Sequence, residues 1–203
     1  MDTKNSSRRT AREEAGIRAE KIYIGIDPDV DKNGIAVLNL KTRKLTVKQL
    51  PFAETIKWVN TLYEQALQGN NHGFKVIIEA GWLNKSNWHL QRWDTRTVAA
   101  AKGVSQGRNE QVSRLLGEMM DFLKIPYEFK RPLAKCWSGQ NRKITQDELE
   151  QVTQQKLGRM NQEGRDAALL AWDKAGFPMR ISLRKTQNAS RDTNRIKTTD
   201  CTR

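Results

Sequence analysis

Residues 74–80, FKVIIEA, constrain the fold of this chain more than any other stretch. Phe74, Val76, Ile77 and Ile78 follow one another with a single polar interruption, the pattern of a central strand buried in a layered sheet. Just upstream, Ile56, Val59, Leu62, Tyr63 and Leu67 recur at helical spacing over residues 55–67. A helix that leads into a buried strand is a crossover, so that strand is expected to run parallel to a neighbour. Earlier still, KIYIGID, GIAVLNL and KLTVKQL are short, β-branched and bounded by turn or charged residues, which predicts a three-strand meander from Lys21.

Beyond the central strand, residues 81–107 are polar and tryptophan-rich (Trp82, Trp88, Trp93) and carry no decisive periodicity. Val112, Leu115, Leu116, Met119, Met120 and Leu123 then form a full apolar helical stripe. YEFK is a short strand candidate stopped by Pro132. Thr145 opens a T-Q-D-E capping box, predicting a helix to about Lys156. A last helix is expected from about Gln162 to Ala175, closed by Gly176 and Pro178. The chain therefore divides into a flexible segment 1–20, one α/β domain over 21–178, and a disordered basic tail 179–203.

Charge narrows the function. Against 23 Asp+Glu stand 36 Lys+Arg, a formal net charge of +13. The excess belongs to the body as well as the tail, which points to a polyanionic partner, nucleic acid before membrane surface. Basic composition serving only solubility is the plainer alternative. No run approaches the ~18 apolar residues that cross a bilayer, and the start lacks a signal-type apolar region, so an intracellular protein is expected. Cys136, Cys201, His72 and His89 give no zinc-ligand spacing. Asp27, Asp29 and Asp31 imitate half an EF-hand loop, but Lys32 stands where glycine is needed and Leu38 where glutamate is needed. Neither a phosphate-binding G-x-x-x-x-G-K-[ST] nor a G-x-G-x-x-G occurs, so no nucleotide cofactor is expected.

Four carboxylates stand where strands and helices present them. Asp27 closes the first strand, Glu79 closes the central one, and Glu163 and Asp166 lie three apart on one face of the last helix. Singly, each has an ordinary reading as a turn, paired or helix-dipole residue. Together they would repel one another unless a hard cation neutralised them. Mg²⁺ or Mn²⁺ suits such oxygens, and a pair of ions ~3.5–4 Å apart serves phosphodiester hydrolysis. An acidic cluster on a basic body is the pattern of a metal-dependent nuclease.

The order GIDPDVDKNGIAV, VIIEAGW, GRNEQVSRLLGEMMDFLKIPYEF and EGRDAALLAW resembles the RuvC-type Holliday junction resolvases of the ribonuclease H-like superfamily, over about residues 21–178. The resemblance implies a ribonuclease H-like (RNase H-like) α/β fold, a five-stranded mixed sheet flanked by helices. It further implies Asp27, Glu79, Glu163 and Asp166 as metal ligands, two Mg²⁺ per site, and a homodimer cutting four-way DNA junctions. Trp82, three residues after Glu79, matches an aromatic similar to a base-stacking probe, and Lys143 matches lysines near the scissile phosphate. Lys85, Arg108 and Arg142 join them as expected nucleic-acid contacts. Departures are Asp29 for the usual glycine after Pro28, Glu163 for the more frequent aspartate, and a longer segment 81–106. The rival readings are a nuclease acting on RNA–DNA hybrid or other branched DNA, and a non-cutting architectural protein that binds branched DNA.

Overall fold

The computed structural model describes residues 21–69, 73–84 and 93–179. Its strands are β1 (Ile22–Asp27), β2 (Asn33–Asn39), β3 (Leu45–Leu50), β4 (Phe74–Glu79) and β5 (Tyr127–Lys130). Its helices are α1 (Phe52–Gln68), α2 (Arg96–Phe122), α3 (Gln146–Thr153) and α4 (Gln162–Lys174), with 3₁₀ turns at Gly81–Leu83 and Gln140–Arg142. The sheet order is β3-β2-β1-β4-β5. β1, β2 and β3 pair antiparallel as the expected meander, while β4 lies parallel to β1 and β5 parallel to β4. A meander extended by two parallel strands, with helices on both faces, is the ribonuclease H-like architecture. Among the described residues no helix is long and apolar enough to cross a membrane.

Alternation along the strands divides the core in two. Ile24, Ile26, Ile35, Val76 and Ile78 face α1 and α2, where Val59, Leu116 and Met120 are fully buried. Ala36 and Leu38 face the other way, toward Leu149 and Val152 of α3 and Ala167, Ala168 and Trp172 of α4. The second layer is thin at its centre. A Cβ on Gly25 would collide with the Ala167 carbonyl, and one on Gly34 would collide with the Glu163 carbonyl and stand 2.7 Å from the Gly164 nitrogen. Two glycines in adjacent strands thus let the backbone of α4 rest directly on the sheet. This close approach brings the first turns of α4 over the ends of the strands.

Several elements differ from the expected bounds. α1 begins at Phe52, one turn early: the carbonyl of its N-cap Pro51 accepts from the Thr55 amide at 2.9 Å, and Phe52 packs against the core. α3 stops at Thr153, since Gln154 turns left-handed at φ 55°. The largest difference is α2, which starts at Arg96 and runs 27 residues instead of beginning near residue 111. Thr95 caps it, its hydroxyl accepting from the Val98 amide at 3.3 Å. The added turns were hidden from periodicity because they pack no apolar stripe: Val98 and Val104 are exposed. Most of the visible stripe turns inward, with Leu116 and Met120 in the core and Val112, Met119 and Leu123 packed against it, while Leu115 and the neighbouring Phe122 stay outside.

Candidate functional site

β1 and β4 run parallel and side by side, Ile26 aligned with Ile78, so their next residues, Asp27 and Glu79, emerge together at one end of the sheet. α4 completes the group. Its N-cap Asn161 accepts from the Gly164 amide at 2.9 Å, fixing the first turn from which Glu163 and, one turn on, Asp166 project. All four acids line a single cleft of about 670 Å³. One sheet end and one helix, held together by Gly25 and Gly34, therefore assemble carboxylates separated by up to 139 residues of chain.

The loop between β5 and α3 supplies cations. Lys143 Nζ lies 3.0 Å from Asp166 Oδ2, and Gln162 Nε2 donates to Asp166 Oδ1 at 2.7 Å. Lys135 and Arg142 line the same cleft. The loop is built to hold this shape. Trp137 and Gly139 amides bond the Arg142 and Lys143 carbonyls, and the Ser138 amide donates to Glu148 Oε1 at 2.9 Å. Asn141 and Arg142 adopt left-handed φ of 55° and 59°, a conformation costing roughly 1 kcal/mol or more per non-glycine residue. Arg165, between the two acids of α4, donates to the Ile144 and Met160 carbonyls and to Gln162 Oε1 at 2.7 Å, locking α4 to the residue after Lys143 and holding the side chain that bonds Asp166.

Electrostatics mark the acids as a stressed group. Burial pushes the Asp27 carboxyl well above its ordinary range, and the charges of Glu79 and Asp166 push it further, against the pull of Lys143. Glu79 rises to about 7, again first by burial and then by Asp166, with Lys143 and Lys135 pulling it back. The Lys143 ammonium is pushed up. Burial works against its charge, but Asp166, Asp27 and Glu163 outweigh it. Lys135 is pulled down by burial and by Lys143. Asp27 and Glu79, which resist ionisation, together with Glu163 and Asp166 in the same cleft, are a donor set that fits a hard divalent cation: oxygen only, from three elements. Among the described residues no three acidic, histidine or cysteine side chains are already drawn close enough to enclose an ion.

Of the residues expected from sequence, Asp27, Glu79, Glu163, Asp166, Arg142 and Lys143 meet in the cleft. Trp82 does not line it. Its ring packs edge-on to Phe129 at 5.0 Å and carries the Arg114 guanidinium 4.2 Å above it. Arg108 is exposed on α2, outside the cleft lining. Lys85, the segment 1–20 and the tail from residue 180 lie outside the described residues. Sequence reasoning missed Lys135, Arg165 and two anchors. Ser113, buried on α2, donates to the Glu79 carbonyl at 2.6 Å. Asn33, fully buried, accepts from the Asp29 amide at 3.1 Å and donates to Thr55 at 3.1 Å, fixing the turn after Asp27. The T-Q-D-E box and the G-R-D run were visible, but nothing local shows that Arg165 clamps and Ser113 anchors.

No family model and no curated protein matches the chain. Among solved structures it is similar to "T. thermophilus RuvC in complex with Holliday junction substrate", with 14% sequence identity and a TM-score of 0.37, over 76% of this chain and 96% of that one.

Proposed function

We propose that this chain is a divalent-metal-dependent endonuclease that hydrolyses phosphodiester bonds in branched DNA, four-way junctions first among them, as a homodimer. The observation that carries the reading is the meeting of Asp27, Glu79, Glu163 and Asp166 in one cleft beside Lys135, Arg142 and Lys143, on a chain of net charge +13. The four acids would hold Mg²⁺ or Mn²⁺, two ions per site. When bound, such ions neutralise charge on the phosphate and activate the water that displaces its ester oxygen.

The protein's own groups do the rest. Arg142, exposed at the rim, draws phosphate into the cleft. Lys143 places a fixed positive charge beside the acids and, with Gln162, sets the orientation of the Asp166 carboxylate. Ser113 fixes the main chain at Glu79, and Asn33 fixes the turn after Asp27. The preference for branched DNA follows from the motif resemblance. Because one centre cuts one strand, a two-fold pair of chains fits a substrate that is itself nearly two-fold. The test is to offer labelled four-way junction, linear duplex and RNA–DNA hybrid with Mg²⁺. Faster cutting of the junction supports the reading; equal or faster cutting of the hybrid replaces it with a hybrid-directed nuclease.

A further inference from the structure

The cleft has two unlike walls. One is the loop after β5, with Lys135, Arg142 and Lys143. The other is one face of the first half of α2, where Ala101, Ser105, Gln106, Asn109 and Glu110 line the cleft at helical spacing. Lys102 also lines this second wall, but it is paired with Asp94 at 2.6 Å. Glu110 adds a negative charge there, its Oε1 accepting from Gln106 Nε2 at 2.8 Å. Phosphate is thus drawn to the loop wall, with its three cations, more than to the helix wall, where Lys102 and Glu110 offset one another. Asn109 is half-buried in that helix wall, and its side-chain amide makes no hydrogen bond among the described residues. A carboxamide so placed offers one acceptor and two donors, the set that pairs with base edges, adenine above all.

We propose that the strand to be cut lies with its phosphates on the loop wall and its base edges on α2, and that Asn109 reads a base next to the scissile phosphate. The inference rests on the nuclease reading and adds to it a polarity of strand binding and a residue that sets sequence preference. Small neighbours support the assignment: Ala101 and Ser105 leave room for a base where a bulky side chain would exclude it.

The experiment uses the whole 203-residue chain with Mg²⁺ and a set of four-way junctions that differ only in the bases flanking the cut. Single-turnover rates are compared for the native chain, Asn109→Ala and Asn109→Asp. The native enzyme is expected to separate its best and worst base by roughly tenfold, the discrimination of one good side-chain–base pair. Asn109→Ala should reduce that ratio to about twofold or less while retaining the native melting temperature, since alanine is the stronger helix former. Asn109→Asp, an acceptor only, should move the preference toward cytosine. A native enzyme that cuts every junction equally overturns the inference, as does an Asn109→Ala enzyme that is uniformly slower with its base ratio intact. A native chain that cuts nothing in Mg²⁺ overturns the nuclease reading itself, a result distinct from an active enzyme without base preference.

Discussion

Asp27 and Glu79 sit where a charge is costly, and the cost has a measurable sign. The Glu79 pKa rises from its ordinary 4.5 to about 7, so between those values the folded chain binds more protons than the unfolded one. Stability from this group is complete at low pH and is lost as pH rises through about 7. Asp27 acts in the same direction. Glu128 and Glu148 act oppositely. Their hydrogen bonds hold their pKa low despite burial, so their contribution is already complete above the ordinary carboxylate range. In the presence of EDTA the melting temperature should therefore fall by roughly 2 °C or more between about pH 5.5 and about pH 8. Glu79→Gln should flatten that fall. A melting temperature that holds or rises over this interval would show that burial and the neighbouring charges do not raise Asp27 and Glu79 as described. Asp27, Glu79, Glu163 and Asp166 were legible from sequence because each ends or faces an element the pattern could locate. Ser113, Asn33 and Arg165 were not, because their partners are distant or main-chain atoms that no residue pattern announces.

At the scale of elements, α4 is placed by what its neighbours lack. Gly34 lies against the Glu163 main chain, and a methyl group there has to push the helix off the sheet. Gly34→Ala should cost about 1–3 kcal/mol in urea denaturation, the range for overpacking, and should impair cutting through displacement of Glu163 and Asp166. A variant of native stability and activity would show that α4 yields freely. The same reasoning separates the two sides of α2. Met120 is fully buried, so Met120→Glu should unfold the chain, whereas Phe122, 76% exposed, should accept Glu without loss of fold. If the homodimer uses the outer side of α2, Phe122→Glu should shift sedimentation from dimer to monomer, and an unchanged sedimentation coefficient would place the contact elsewhere. Sequence periodicity located the half of α2 that packs on the core and was silent on the half that lines the cleft. An amphipathic signal records burial, and Ser105, Gln106 and Asn109 face a cleft instead of a core.

For the molecule as a whole, strand order and chemistry tell one story. The meander, the crossover and the buried central strand were readable because short β-branched runs bounded by turn residues, a helical repeat and a continuous apolar run each leave a different local pattern. That topology alone brings the ends of β1 and β4 together, and the glycine seat of α4 closes the group into a cleft. Trp82, which the sequence suggested as a stacking residue, lies outside the cleft lining, its ring edge-on to Phe129 and under the Arg114 guanidinium. We propose that the four acids act as one cation-dependent cutting centre. It is tested most directly by the cleavage rate of a labelled four-way junction, measured for the native chain in Mg²⁺ and in EDTA, and in Mg²⁺ for Asp27→Asn, Glu79→Gln, Asp166→Asn and the triple variant. Cutting is expected in Mg²⁺, none in EDTA, and losses for the single variants about as large as for the triple, because residues that act as a unit are not additive. Junction affinity should persist throughout, since phosphate contacts come from the basic residues. Cutting that survives EDTA, or that any one of the three substitutions leaves at the native rate, would contradict it.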